Sequence, residues 1–213
     1  MLASVGFTPL DADIRAGIPK IEGALQAQAL TGLMGQRHTL LHAVTHFGRA
    51  TLSDALRADA STVFVAATAY NFLSVFLCPD SPTLSSTDEP TENPMLALAC
   101  PSREAALQVF ALLSSKVAFW WWHAHGDGFH VSKHVIETMP VGDAFRSAKF
   151  AAELTKLGES LWKDISARPI VSRNRGRTSL GFSAVNSPER DRIDAVLIEA
   201  LGLAPEFAVE KAR

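Results

Sequence analysis

The chain reads as an α+β fold in which a small mixed or antiparallel sheet packs with helices. Short runs rich in Val, Phe and Leu and bounded by turn-forming residues mark strands near 62–66, 73–78, 95–100, 129–131 and 170–182. Longer stretches repeat apolar residues every three or four positions and mark helices near 18–47, 103–122, 144–166 and 188–201. Composition agrees: 47% of the 213 residues are apolar, and 20 Lys plus Arg stand against 22 Asp plus Glu. Those values exclude a disordered chain, a collagen and a coiled-coil rod.

Taken in order, Leu33, Leu40, Leu41, Val44 and Phe47 recur at helical spacing, which predicts two helices meeting near the glycines at 32 and 35. Thr68-Ala69-Tyr70-Asn71 bends the chain between the first two strands. The stretch 79–93 combines three prolines with Asp80, Asp88, Glu89 and Glu92, too polar to offset its ordering entropy, and predicts a mobile loop. Ser102 is the expected N-cap of a helix that buries Ala106, Val109, Phe110 and Leu113. Phe150, Leu154, Leu157, Leu161 and Ile165 mark one face of an amphipathic helix. A hairpin should turn around Asn174 to Gly176. Ser187-Pro188 then opens a last helix, carrying Ile193, Val196, Leu197 and Leu201, that Gly202 closes. Residues 1–60 read as a helical N-terminal linker segment, 61–142 as an α/β recognition core and 143–213 as a helix–hairpin–helix part, all within one compact unit.

Cys78 and Cys100 are too few for a disulfide framework and read as small buried residues, which makes a reducing cytoplasmic setting the expectation. No long uncharged apolar run provides a membrane span, and Asp11, Asp13 and Arg15 interrupt any signal peptide. The net charge of −2 lacks the basic excess usual in nucleic-acid binders, so such a role needs a local basic patch. Phosphate-binding loops, nucleophile elbows and H-E-x-x-H zinc helices are missing from the sequence, which weakens an enzyme reading and leaves no catalytic residue to name.

The densest segment is W-W-W-H-A-H-G-D-G-F-H-V-S-K-H, residues 120–134. His123, His125 and Asp127 are similar to the H-x-H-x-D opening of metallo-β-lactamases, yet Gly128 replaces the next histidine, so a zinc-dependent hydrolase ranks third among the readings. His38, His42 and His46 fall on one face of the expected first helix, with Arg37 and Arg49 beside them. They fit an anion-facing surface better than a metal site, and no metal ligand is assigned. Successive residues of a helix point about 100° apart. At least one of Trp120, Trp121 and Trp122 is therefore expected at a surface, where the triplet would form a protein-docking interface. That is the second reading. In S-R-N-R-G-R, Arg173, Arg175 and Arg177 concentrate guanidinium groups that suit phosphates and guanine edges.

Residues 111–140, A-L-L-S-S-K-V-A-F-W-W-W-H-A-H-G-D-G-F-H-V-S-K-H-V-I-E-T-M-P, resemble the C-terminal target-recognition region of N6-adenine DNA methylases of restriction-modification systems. In that family an aromatic-rich helix leads into a Gly-Asp-Gly loop and a proline-marked exit, here Met139-Pro140. The tail at 172–203, with Asp191-x-Ile-Asp194 and E-A-L-G-L, looks similar too. The N-P-P-Y-type tetrapeptide of the family's catalytic domain is lacking, Asn93-Pro94-Met95 being the nearest approach. The resemblance thus implies a non-catalytic DNA-recognition region or subunit. Its partners would be double-stranded DNA and a catalytic methylase domain or subunit, on which S-adenosylmethionine would bind, with no cofactor in this chain. Asp127, His130, Ser132, Lys133, Arg173, Arg175 and Arg177 are the expected DNA contacts.

Overall fold

A computed structural model of the chain describes residues 19–79, 84 and 88–207. Its centre is an antiparallel sheet of β1 (His46–Ala50), β2 (Thr62–Ala66), β3 (Val75–Phe76) and β5 (Met95–Ala99), in the order β1-β5-β2-β3. The register sets Phe47 opposite Leu98 and Arg49 opposite Leu96. Because strand side chains alternate, Phe47 and Arg49 share one face of the sheet.

Among the described residues seven α-helices accompany two sheets: α1 (Gly23–Met34), α2 (Leu52–Ala55), α3 (Arg103–Ser114), α4 (Lys116–His125), α5 (Lys133–Glu137), α6 (Ala148–Ser166) and α7 (Pro188–Ala200). This is the α+β architecture expected from the sequence. Helix α3 lies against β2 and β3 on one side and against α6 and α7 on the other. Its crossing with α6 is close enough that a Cβ at Gly158 would collide with the carbonyl of Leu107. The amphipathic pattern of α6 holds, with Leu154, Leu157, Leu161 and Ile165 all buried. The hairpin also holds: β6 (Ile170–Asn174) and β7 (Arg177–Gly181) join through Arg175 and Gly176, both at positive φ. A type I′ turn needs that conformation at its two central residues.

Several boundaries differ from the sequence reading. The helix expected over 18–47 stops at Met34, and a 3₁₀ turn at Leu40–His42 leads into β1, so the described residues up to 60 are not helical throughout. Pairing with β5 overrides the weak strand propensity of His-Phe-Gly-Arg-Ala, a tertiary effect no local pattern contains. The helix expected over 103–122 is two helices: Ser115 ends α3 in an extended conformation and caps α4, its hydroxyl accepting from the Ala118 N–H at 3.0 Å. The strand expected over 129–131 is a single bridge between Thr68 and His130, followed by α5, which Ser132 caps. Of the mobile loop expected over 79–93, residues 80–83 and 85–87 lie outside the described residues. Beyond them β4 (Glu89–Pro90) runs parallel to β7 and forms a three-stranded sheet with the hairpin. One continuous cluster of buried apolar side chains runs from Ala29 to Phe207.

Candidate nucleic-acid interface

All three indoles of the Trp triplet are buried, which corrects the expectation of a docking surface. The open side of α4 falls instead on Lys116, Phe119 and the exposed His123, while the arc of about 200° that the three indoles span is covered by α1, α5, α7 and the exit loop. Each N–H has its own acceptor: Trp120 donates to Gln26 Oε1 at 3.1 Å, Trp121 to the Val135 carbonyl at 3.1 Å and Trp122 to the His130 carbonyl at 2.9 Å. Two of these acceptors belong to the segment that follows α4. The triplet is the internal support of the Gly-Asp-Gly loop.

That loop is stiffened from within. Asp127 Oδ1 accepts the backbone N–H of Phe129 at 2.8 Å and of His130 at 2.6 Å, while Oδ2 pairs with His130 Nδ1 at 2.6 Å. These bonds hold its carboxyl down at about 2, the His130 side chain contributing most. The aspartate is thus a turn cap with both oxygens engaged inside the loop, not a side chain held out toward DNA. Gly126 is required because a Cβ there would come within 2.7 Å of the Trp122 carbonyl, and Gly128 because its φ is +87°. From outside, Lys20 closes the end of α4, its N–H donating to Ala124 O at 2.8 Å and its Nζ to Gly126 O at 2.9 Å.

Beyond the turn, His130, Ser132 and Lys133 are exposed. Ser132 and Lys133 line a groove of about 500 Å³ on the sheet face that carries Phe47 and Arg49. Ala67, Leu96 and Val131 supply further apolar wall. Lys133 Nζ lies 5.7 Å from the Phe47 ring centroid, within cation–π range, and 3.7 Å from Glu137. Arg49 forms no ion pair among the described residues. No carboxylate stands among the groove's described lining residues. A second cavity of about 510 Å³ mixes Arg37 and Arg146 with Asp143 and Glu199, so its charges offset one another. The first groove is therefore the better anion site, and Arg49, which the sequence offered only as a neighbour of histidines, belongs to it.

The histidine stripe breaks up, His46 parting from His38 and His42, whose rings stay 5.8 Å apart. His42 Nδ1 turns back on Thr39, at 3.2 Å from Oγ1 and 3.3 Å from N, while His46 lies on β1 and Arg37 lines the other cavity. His125 stacks on Trp121 with ring centroids 3.8 Å apart, and burial lowers its pKa. Among the described residues no group of three or more His, Cys, Asp or Glu side chains is arranged to hold a metal, so the geometry gives the zinc-hydrolase reading no support.

The arginine trio is exposed but divided. By register Arg173 faces Thr178 and Arg177 faces Asn174, which puts the two on opposite faces of the hairpin. Arg173 grips Asp88 with two donors at 3.0 and 3.3 Å, and Arg177 meets Glu92 at 3.1 Å and Glu89 at 3.8 Å. Only Arg175, at the tip, makes no ion pair among the described residues. The acidic segment at 88–92 thus takes up two of the three charges of the arginine trio.

Among the described residues no helix is long and apolar enough to cross a membrane. Comparison of the chain with models of known protein families, with curated proteins and with solved structures finds no match in any of the three.

Proposed function

We propose that the chain is a DNA-recognition region of an adenine-N6 methylase system, non-catalytic by itself, which contacts the duplex through the groove between β1 and the Gly-Asp-Gly loop. S-adenosylmethionine and the bond-making groups then belong to a separate catalytic domain or subunit. The observation that supports this most is the carboxylate-free groove, where Arg49 and Lys133 stand beside Ser132 on a loop fixed by buried indoles. Two cations on rigid supports suit phosphate contacts, which fix the register of a protein on DNA, while the exposed His130 and Ser132 offer polar atoms to base edges. The hairpin is a secondary contact, reduced to Arg175 at its tip because Arg173 and Arg177 are engaged by carboxylates.

The salt dependence of duplex binding tests the proposal. Each lost phosphate contact lowers the slope of log K against log salt by roughly 0.9. Arg49→Ala and Lys133→Ala should each lower it by about that amount, and the pair additively, with Arg173→Ala changing it less. Unaltered slopes in both groove variants would overturn the assignment.

A further inference from the structure

Tyr70 and Phe129 meet edge to face with ring centroids 5.3 Å apart, and they remain 72% and 39% exposed. The two rings form one continuous exposed aromatic surface, and an aromatic face is what a nucleic-acid base stacks on. Their backbones are not free to move inward. The Ala69 N–H donates to the Phe129 carbonyl at 2.9 Å, Thr68 bridges His130, and the Val131 N–H donates to the Ala67 carbonyl at 2.9 Å. Asp127 fixes the Phe129 and His130 amides from the other side. His130 adds a third ring, 4.8 Å from Phe129 and perpendicular to it.

This two-chain ribbon continues directly into the cationic groove, since Ala67 and Val131 line it. Phe129 stands two residues from Val131, or about 7 Å of extended chain. Successive bases of a stacked strand rise roughly 3.4 Å along the helix axis, so the aromatic pair lies within a short reach of the groove on the scale of a bound strand. A strand whose phosphates lie between Arg49 and Lys133 would therefore bring a base to the aromatic pair. A paired base inside a duplex hides its face in the stack, whereas an unpaired one offers it.

We infer that Tyr70 and Phe129 form a stacking platform for an unpaired DNA base next to the phosphate groove, so the chain prefers DNA carrying an unstacked base over a perfect duplex. The inference rests on the DNA reading above and adds the state of the nucleic acid that the site selects. Aromatic stacking is tolerant of base identity, so the platform supplies preference for an open base without choosing its sequence.

The full chain would be titrated with one oligonucleotide sequence in three forms: perfect duplex, the same duplex with a single unpaired base, and single strand. The expected preference for the two open forms is roughly fivefold or more, the lower end of what one stacked base contributes. Tyr70→Ala should abolish that preference and leave the salt slope unchanged, Tyr70→Phe should keep it, and Arg49→Ala should lower the slope while keeping it. Tyr70 is the only tyrosine of the chain, so selective labelling gives one ring signal. Stacking beneath a base moves that signal upfield. A stationary signal and equal affinities for all three forms, with the duplex salt slope still dependent on Arg49, would overturn the platform and leave the groove intact. Failure to bind any form would overturn both.

Discussion

The indole nitrogen of Trp122 donates to the carbonyl of His130 across 2.9 Å, tying a buried helix to an exposed loop eight residues downstream. The side chain that sequence offers as a docking group is a strut. Together with the bond from Trp121 to the Val135 carbonyl it spans the Gly-Asp-Gly turn and the start of α5. The loop's polar tips are displayed because its carbonyls are anchored.

Trp122→Phe removes the donor together with the five-membered ring of a fully buried indole, leaving a cavity beside an unpaired, partly buried carbonyl. The unpaired carbonyl alone should cost about 1–3 kcal/mol, and the cavity adds to it. Urea unfolding would measure it, and amide exchange at Phe129, His130 and Val131 should accelerate beyond the global change. An unchanged unfolding midpoint would show that water replaces the indole at no cost.

The crossing of α3 and α6 makes a sharper steric prediction. Gly158 is buried in α6 against the Leu107 carbonyl, a backbone group that cannot rotate away as a side-chain tip would. Gly158→Ala raises helix propensity, which at an exposed position would stabilise the helix by up to about 1 kcal/mol. Here the added methyl must push the helices apart, and overpacking of this kind costs about 1–3 kcal/mol. A lowered thermal midpoint with wild-type groove binding by the folded fraction is the expected result.

Periodicity located α6, α7 and the hairpin because each announces itself locally: Leu154, Leu157 and Leu161 repeat at helical spacing, and Asn174 to Gly176 carry turn residues. β1 was illegible because His46 to Ala50 has no strand pattern of its own and becomes a strand only by pairing with β5. The divided arginines had the same cause. Whether Arg173 is free depends on Asp88, which lies 85 positions away in sequence. The burial of all three indoles required knowing that the open side of α4 falls on Lys116, Phe119 and His123, which depends on where α1, α5 and α7 pack. Arg49 had one clue, its spacing of two from an apolar Phe47, which would have counted only if that segment were known to be a strand.

Asp127 gives the loop an acid limit. Its carboxyl titrates at about 2 in the fold against an ordinary 3.8, so its contribution is present above the ordinary value and is lost as pH falls through about 2. Between roughly pH 4 and 2 the Phe129 and His130 amides should lose their protection before the core does. Asp127→Asn should bring that loosening to neutral pH, because an amide can accept the two backbone N–H groups but lacks the charge that strengthens them. Amide exchange of the two residues, followed against pH in wild type and variant, would check both statements. Equal exchange in the two proteins at neutral pH would show that the charge is immaterial.

Asp194 carries a pH dependence of the opposite sign. From α7 its Oδ1 accepts the N–H of Lys116, the first residue of α4, at 2.8 Å, so one helix caps another. Its Oδ2 is buried with no hydrogen-bond partner among the described residues. Burial raises the carboxyl to about 6 in spite of the Lys116 backbone bond and the charges of Arg190 and Lys116. A raised folded value means the contribution is full below the unfolded value near 3.8 and is lost as pH rises through about 6. At neutral pH the ionised group is therefore a net cost on the order of 1–3 kcal/mol. Asp194→Asn retains an oxygen for the Lys116 N–H and removes the charge, while Arg190 keeps its bond to the Ser114 carbonyl at 3.0 Å. The variant should match wild type below about pH 4, exceed it in thermal midpoint by a margin that grows as pH rises to about 6, and show a flatter profile between them. Midpoints recorded across that range decide the matter: a variant less stable at every pH would mean that the attraction of Arg190 outweighs the desolvation of the carboxylate.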